Sequence, residues 1–201
     1  MVKRLSIFGD SITWGKADTE CGGWVSRLNR FYSSLENYEV EIYNVGVSGD
    51  TTEHLVSRFD NEAQARNRKE QVFLFAIGLN DSYYVKTKEN PNVSVERLKE
   101  NIGWLIENAQ KYTDTFGFIG PTNVNESLMP RKDSEKYYTN DRVEMYSNVI
   151  RDVCLEKGIP FLDMLDIIEE SELPDGLHPD AGGHEKMFQR IKQFIVKNKI
   201  L

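Results

Sequence analysis

The 201-residue sequence predicts an α/β protein in which a parallel sheet lies between two layers of helices. Five short apolar or β-branched segments alternate with stretches whose apolar residues recur at helical spacing. No internal repeat, linker or low-complexity segment interrupts this alternation. Because strands that alternate with helices form βαβ units with right-handed crossovers, we expect a three-layer α/β/α sandwich with five parallel strands. The length fits a single domain spanning residues 1–201.

The first strand is predicted at residues 5–8, a short apolar run that ends at Gly9. Asp10 and Ser11 follow at the carboxyl end of this strand, where open α/β sheets bind their ligands. A serine at that point is a candidate nucleophile, and a glycine before it permits an unusual backbone angle. Aspartate and serine are also common turn formers, so this segment does not decide the function by itself.

An amphipathic helix is predicted at about residues 22–36, followed by a β-branched and aromatic strand at 40–45. That strand ends in V-G-V-S-G-D-T-T, a turn in which Asp50 or Thr51 would cap a short helix around residues 55–59. A polar stretch at residues 61–70 precedes the third strand. This strand, at 72–77, is almost wholly apolar, as expected where helices cover both faces of a sheet. It ends at Gly78-Leu79-Asn80-Asp81.

In the second half of the chain, helices are predicted at about 94–112 and 143–154, the latter closed by Gly158. The fourth and fifth strands are predicted at 116–119 and 159–162. The polar stretches 82–92 and 123–136 are interpreted as loops, and residues 122–137 are a candidate lid. A loop at 163–180 carries Asp175 and His178, and a final helix contains Met187, Phe188, Ile191, Phe194 and Ile195.

The composition excludes several classes of function. A net charge of -7 and a pI near 5.1 argue against nucleic-acid binding, which needs clustered Lys and Arg. No apolar run approaches the roughly 20 residues that span a bilayer, and no signal peptide is recognisable. Cys21 and Cys154 have neither metal-ligand spacing nor a disulfide pattern. We therefore expect a cytoplasmic protein without a metal or cofactor.

The candidate reactive residues lie in turns that follow strands, or in the last strand-to-helix loop: Ser11, Gly49, Asn80, Asp175 and His178. Since such turns meet at one edge of a parallel sheet, these residues are expected to converge in space. His178 could take the proton of the Ser11 hydroxyl, and Asp175 could accept the Nδ1 proton of His178, as in a serine triad. The developing oxyanion would be bound by the backbone N–H groups of Ser11 and Gly49 and by the Asn80 amide.

Four short motifs carry a resemblance to a known family: G-D-S-I at residues 9–12, S-G-D-T at 48–51, G-L-N-D at 78–81 and D-G-L-H-P at 175–179. In order and spacing they resemble the blocks of the SGNH hydrolases, also called GDSL esterases/lipases, with Ile12 in place of leucine. The resemblance implies a flavodoxin-like sandwich and a serine esterase with the five residues in the roles given above. It implies a small-molecule ester, thioester or acetylated sugar as substrate and does not indicate an oligomeric state.

Other interpretations remain open from the sequence. Asp10 could be a phosphotransfer aspartate, although Ile12 occupies the position where that class needs a second acid. A non-catalytic nucleotide- or flavin-binding module would leave Asp175 and His178 without a role, and the sequence has no G-x-G-x-x-G. Ser48 lies in a motif that differs by one position from G-x-S-x-G, the turn that carries the nucleophile of the α/β-hydrolases.

Two further expectations concern groups of residues. His54 and His184 are interpreted as surface or capping residues, and the mouth of the cleft is expected to include Asp81, Ser82, Tyr83 and Asn123.

Overall fold

A computed structural model describes residues 2–35, 39–87, 89–130 and 134–201. Within these residues, five parallel strands form one sheet: β1 Lys3–Gly9, β2 Val40–Gly46, β3 Gln71–Ala76, β4 Phe116–Thr122 and β5 Phe161–Met164. Their order across the sheet is β2-β1-β3-β4-β5. This is the strand order of the flavodoxin-like fold, in which the chain reverses direction across the sheet beside β1. The predicted fold class is confirmed.

Helices cover both faces of the sheet: α1 Ser11–Trp14, α2 Gly23–Ser33, α3 Thr52–Ala65, α4 Leu79–Ser82, α5 Val95–Ala109, α6 Asn140–Glu156 and α7 Ala181–Lys197. Helices α2 and α7 pack on one face, and α3, α5 and α6 pack on the other. No helix in the described part of the chain is both long enough and apolar enough to cross a membrane.

The central strands bury both of their faces, which explains why their sequences are almost continuously apolar. Leu5 and Ile7 of β1 join the core beneath α2 and α7, while Phe8 points to the opposite core. There Phe8 stacks on Phe75 of β3 at 5.5 Å between ring centroids, and Phe75 stacks on Phe118 of β4 at 4.7 Å. This row of rings across three strands fixes their relative register, because the rings are side chains of paired residues.

Several element boundaries differ from the predicted ones. Helix α3 continues to Ala65 through half of the predicted polar stretch, because Ala63 extends the buried face of Leu55 and Phe59. Strand β5 begins two residues later than predicted, after Pro160, which has no N–H to donate. Helix α2 ends at Ser33, and residue 36, where its end was predicted, lies outside the described residues.

The two polar stretches predicted as loops contact each other. The two-residue strand Tyr84–Val85 pairs antiparallel with Lys136–Tyr137, and the Tyr84 and Tyr137 rings stack at 5.3 Å. Strands this short have no recognisable alternation of apolar and polar residues, so they could not be predicted from the sequence. Parts of both loops, residues 88 and 131–133, lie outside the described residues, and the expectation that residues 122–137 form a lid stays a prediction.

Candidate active site

Ser11 and His178, which are 167 residues apart in the sequence, are joined by a hydrogen bond. The Ser11 Oγ lies 2.8 Å from the His178 Nε2, and the two residues are only 5% and 1% exposed. On the other side of the imidazole ring, the Nδ1 lies 2.7 Å from the Oδ2 of Asp175. Three of the side chains singled out in the sequence therefore form one continuous chain of hydrogen bonds.

The short turn at residues 175–178 sets the orientation of the imidazole. The Oδ1 of Asp175 accepts the backbone N–H groups of Leu177 and His178, at 3.1 and 2.8 Å, which leaves its Oδ2 for the ring. Burial opposes ionisation of Asp175, but the hydrogen bonds from His178 outweigh it and hold the pKa of the carboxyl below its ordinary range. Since an ionised carboxylate only accepts, the Nδ1 carries the proton and the Nε2 accepts from the Ser11 hydroxyl.

Ser11 is the first residue of α1, and Asp10 caps this helix by accepting the Ile12 N–H at 2.9 Å. A Cβ at Gly9 would lie 2.1 Å from the Thr13 Oγ1 and 2.5 Å from the carbonyl oxygen of Ala76. Glycine is therefore required here because the turn is crowded. The expectation of an unusual backbone angle at Gly9 is wrong, since Gly9 is not among the positive-φ glycines.

Asp10, the residue before Ser11, is only 3% exposed. Burial, helped by the nearby carboxylates of Asp81 and Asp50, raises its pKa to about 7, although hydrogen bonds from the backbone N–H groups of Ile12 and Thr13 lower it. The Oδ2 of Asp10 is 3.4 Å from the Nδ2 of Asn80. The sequence placed Asp10 in the turn but did not indicate that its carboxyl is buried.

Gly49 lies between β2 and α3 with a φ of 89°, in the left-handed region that favours glycine. A Cβ added there would meet nothing within 4 Å, so this position needs glycine for its backbone angle and the space in front of it is open. Arg58 holds the loop in place, because it binds the Asp50 carboxylate at 2.7 Å and donates to the carbonyl oxygens of Gly9 and Val45. No motif in the sequence pointed to Arg58.

Asn80, at the start of α4, is held at both ends of its side chain. Its Nδ2 donates to the carbonyl oxygen of Asp50 at 3.0 Å, and its Oδ1 accepts from the Tyr138 hydroxyl at 3.0 Å. The backbone oxygen of Asn80 accepts from the Asn92 side chain at 2.8 Å. The Asn80 amide thus contacts Asp50, which follows Gly49 in the chain, and Asp10, which precedes Ser11. Asn92 ends the stretch 82–92 that is interpreted as a loop, and Tyr138 lies between the candidate lid at 122–137 and the next predicted helix. The sequence carried no signal for either residue.

Asp81 is fully buried, so the expectation that it lines the mouth of the cleft is wrong. Its carboxylate accepts the backbone N–H and the hydroxyl of Thr52 at the start of α3, and the Thr52 hydroxyl in turn accepts from Asn101 at 2.9 Å. Burial raises the pKa of Asp81 to about 6 although the bonds from Thr52 lower it. Ser82 is also buried, and its hydroxyl donates to the Leu79 carbonyl oxygen of its own helix. Tyr83 and Asn123 are half-buried.

The two other histidines differ from each other. His54 caps α3 in a capping box with Thr51, as predicted. The prediction that His184 is a surface or capping residue is wrong, since it is fully buried. Its Nδ1 accepts the Trp24 N–H at 3.3 Å and its Nε2 lies 3.1 Å from the Lys16 carbonyl oxygen, while burial lowers its pKa. His184 is thus a neutral core residue that joins α7 to α2.

Among the described residues, no group of three or more His, Cys, Asp or Glu side chains could hold a metal ion. Cys154 is buried in the core and Cys21 is partly exposed.

The chain is similar to known proteins in sequence and in fold. The model of the GDSL-like Lipase/Acylhydrolase family matches residues 7–186. The structure of the lipase/acylhydrolase from Enterococcus faecalis is similar, with 23% identity, a TM-score of 0.75 and coverage of 96% of this chain and 95% of that one. The acetylxylan esterase Axe2 from Geobacillus stearothermophilus has 19% identity, a TM-score of 0.75 and coverage of 96% and 94%. At these identities the likeness shows the shared fold.

Two curated relatives are longer than this chain. The uncharacterized lipoprotein YqeF of Bacillus subtilis (strain 168) is 32% identical over 110 residues, which are 52% of this chain and 42% of the relative. A multidomain esterase of Ruminococcus flavefaciens is 24% identical over 221 residues, covering 92% of this chain and 27% of the relative. The chain therefore matches less than half the length of either relative.

Proposed function

Because the chain belongs to the GDSL-like lipase/acylhydrolase family, a family of ester-hydrolysing enzymes, we propose that it is a serine esterase that works through an acyl-enzyme on Ser11. The observation that carries this proposal is the 2.8 Å hydrogen bond between the Ser11 Oγ and the His178 Nε2. A serine hydroxyl is a weak nucleophile until a neighbouring base takes its proton, and this bond supplies that base.

In the acylation step, the Ser11 Oγ attacks the ester carbonyl carbon while its proton passes to the His178 Nε2. The positive charge that forms on the imidazole is stabilised by Asp175, whose carboxylate lies 2.7 Å from the Nδ1. The protonated Nε2 then donates its proton to the departing alkoxide. In the second step, His178 takes a proton from water, the hydroxide attacks the acyl-enzyme, and the acid leaves as the Ser11 hydroxyl is restored.

The negative charge on the carbonyl oxygen requires fixed donors. We assign this role to the backbone N–H groups of Ser11 and Gly49 and to the Asn80 amide. One N–H of that amide is committed to the Asp50 carbonyl oxygen at 3.0 Å, and the amide nitrogen is 3.4 Å from the Asp10 Oδ2. The longer contact is the weaker one, so the oxyanion competes with Asp10 for the second N–H of Asn80.

The proposed substrate is a carboxylic ester of a small molecule, and thioesters and acetylated sugars are attacked by the same chemistry. Two of the similar proteins are named as an acetylxylan esterase and a lipase/acylhydrolase, and these names are consistent with such substrates. Rates for p-nitrophenyl esters of increasing acyl length, an acyl-thioester and an acetylated xylo-oligosaccharide would rank the three classes. We also propose a cytoplasmic location, which the two free cysteines support and cell fractionation tests.

The decisive experiment joins turnover with covalent labelling. Hydrolysis of p-nitrophenyl acetate is expected to fall to the background rate in Ser11→Ala, and a fluorophosphonate probe is expected to label Ser11 in the wild-type protein. Ser48→Ala is the matched control, because Ser48 is the exposed serine in the nearby glycine loop, and it should keep both activity and labelling. Labelling of Ser48, or full turnover in a folded Ser11→Ala variant, would show that the assignment is wrong.

A further inference from the structure

The structure assigns a role to Tyr138, which we infer is a positioning residue that holds the Asn80 amide in its oxyanion-binding orientation. This inference rests on the esterase function proposed above. Tyr138 lies 58 residues from Asn80 in the sequence, and its hydroxyl donates to the Asn80 Oδ1 at 3.0 Å. Through this bond Tyr138 would act on the orientation of Asn80.

The side-chain amide of Asn80 has a donor end and an acceptor end, and only the donor end can stabilise an oxyanion. The Asp50 carbonyl oxygen accepts from the Nδ2 at 3.0 Å, and the Tyr138 hydroxyl donates to the Oδ1 from the other side. Together these two bonds fix the rotation of the amide about its last side-chain bond. The bond to the Oδ1 also polarises the amide, which makes its N–H groups better donors.

Asp10 offers the amide an unproductive alternative. Its Oδ2 is 3.4 Å from the Asn80 Nδ2, at the long end of hydrogen-bond distances. If the bond from Tyr138 were lost, a small rotation would bring the amide nitrogen closer to this carboxyl and away from the substrate. Asn80 is only 5% exposed, so water does not readily replace the lost donor on its Oδ1.

The position of the Tyr138 hydroxyl is itself well supported. Tyr138 is 1% exposed, and its ring packs edge-on against Tyr83 at 5.5 Å between centroids. The preceding residue, Tyr137, is held by its antiparallel pairing and by stacking on Tyr84. The pair of short strands therefore connects the segment that carries Tyr138 to the segment that follows Asn80, and this connection keeps donor and acceptor together.

The test is the variant Tyr138→Phe, which removes the hydroxyl and keeps the ring. For p-nitrophenyl acetate we expect kcat to fall roughly three- to tenfold, the effect of one neutral hydrogen bond, with KM changed less than twofold. Tyr137→Phe is the matched control, since it removes a hydroxyl from the adjacent, half-buried residue, and its kcat should equal that of the wild type. A kcat for Tyr138→Phe within twofold of the wild-type value would overturn the inference.

A double-mutant cycle separates positioning from a general structural effect. In an Asn80→Ala background, which by itself should lower kcat roughly 10²- to 10³-fold, Tyr138→Phe should have no further effect because its target is gone. Equal losses in both backgrounds would assign Tyr138 a structural role and refute the inference. If Tyr138→Phe unfolds at the assay temperature, the cycle is measured in the cold, on protein with a wild-type near-ultraviolet CD spectrum.

The failure of the positioning role can be distinguished from the failure of the proposed function. Full activity in Ser11→Ala would refute the proposed function, and the role of Tyr138 with it. Loss of activity in Ser11→Ala combined with no coupling between Tyr138 and Asn80 would leave the esterase function in place and refute only the positioning role.

Discussion

The buried carboxyl of Asp10 makes a sharp prediction about stability and pH. In the variant Asp10→Asn the side-chain oxygen that caps α1 is retained, because asparagine accepts the Ile12 N–H as well as aspartate does. What the variant removes is the capacity to ionise. In the folded protein burial raises the pKa of this carboxyl from 3.8 to about 7, so the wild type carries a cost of ionisation that Asp10→Asn does not.

The sign and size of the effect follow from the two pKa values. Between pH 4 and 7 the folded protein keeps a proton on Asp10 that the unfolded chain has released, so wild-type stability falls as pH rises through this interval. At 1.36 kcal/mol per pH unit, a pKa raised to about 7 corresponds to roughly 4 kcal/mol. The advantage of Asp10→Asn over the wild type should therefore grow by up to about 4 kcal/mol from pH 4 to pH 8.

Urea unfolding followed by tryptophan fluorescence at pH 4, 6 and 8 measures this difference. Changes in packing caused by the substitution are the same at each pH, so they do not alter how the stability difference varies with pH. Asp18→Asn is the control, because burial of Asp18 is outweighed by bonds from Arg27 and three backbone N–H groups, which hold the pKa of Asp18 below its ordinary range. The stabilisation that the ionised Asp18 carboxylate provides is lost only below about pH 4. The Asp18→Asn variant should therefore be less stable than the wild type by a constant amount from pH 5 to 8. A difference for Asp10→Asn that does not change with pH would refute the reasoning.

Two further predictions concern the site. Asp175→Asn should lower kcat roughly 10⁴-fold in the p-nitrophenyl acetate assay, because the amide cannot stabilise the imidazolium or hold the Nδ1 proton as the carboxylate does, and a loss below tenfold would contradict this role. Gly49→Ala should lower kcat, and it should destabilise the fold by about 1–2 kcal/mol because an alanine is strained at a φ of 89°. Calorimetry should then show a melting temperature lower by roughly 2–8 °C, whereas an unchanged value would mean that the loop adopts another backbone angle without cost.

Much of the fold was predictable because the signals for it are local. An apolar run that ends at glycine, or apolar residues at helical spacing, is visible in ten to twenty consecutive residues, and the alternation of such segments implies a parallel sheet. The positions of Ser11, Gly49 and Asn80 just after strands followed from the same signals. The boundaries of α3 and β5 were less predictable, since they depend on whether residues such as Ala63 find a buried surface to pack on.

By itself, the sequence determined the α/β class, the turns that carry the proposed catalytic residues and the motifs that resemble a hydrolase family. Only the tertiary structure decided which side chains are buried and which partners they find there. It buried Asp10, Asp81 and His184, and it brought Arg58 and Tyr138 to the turns around Ser11. The physical reason is that a pKa or a hydrogen bond depends on the atoms that surround a group, and in a parallel sheet those atoms come from strands and loops that are distant in the chain.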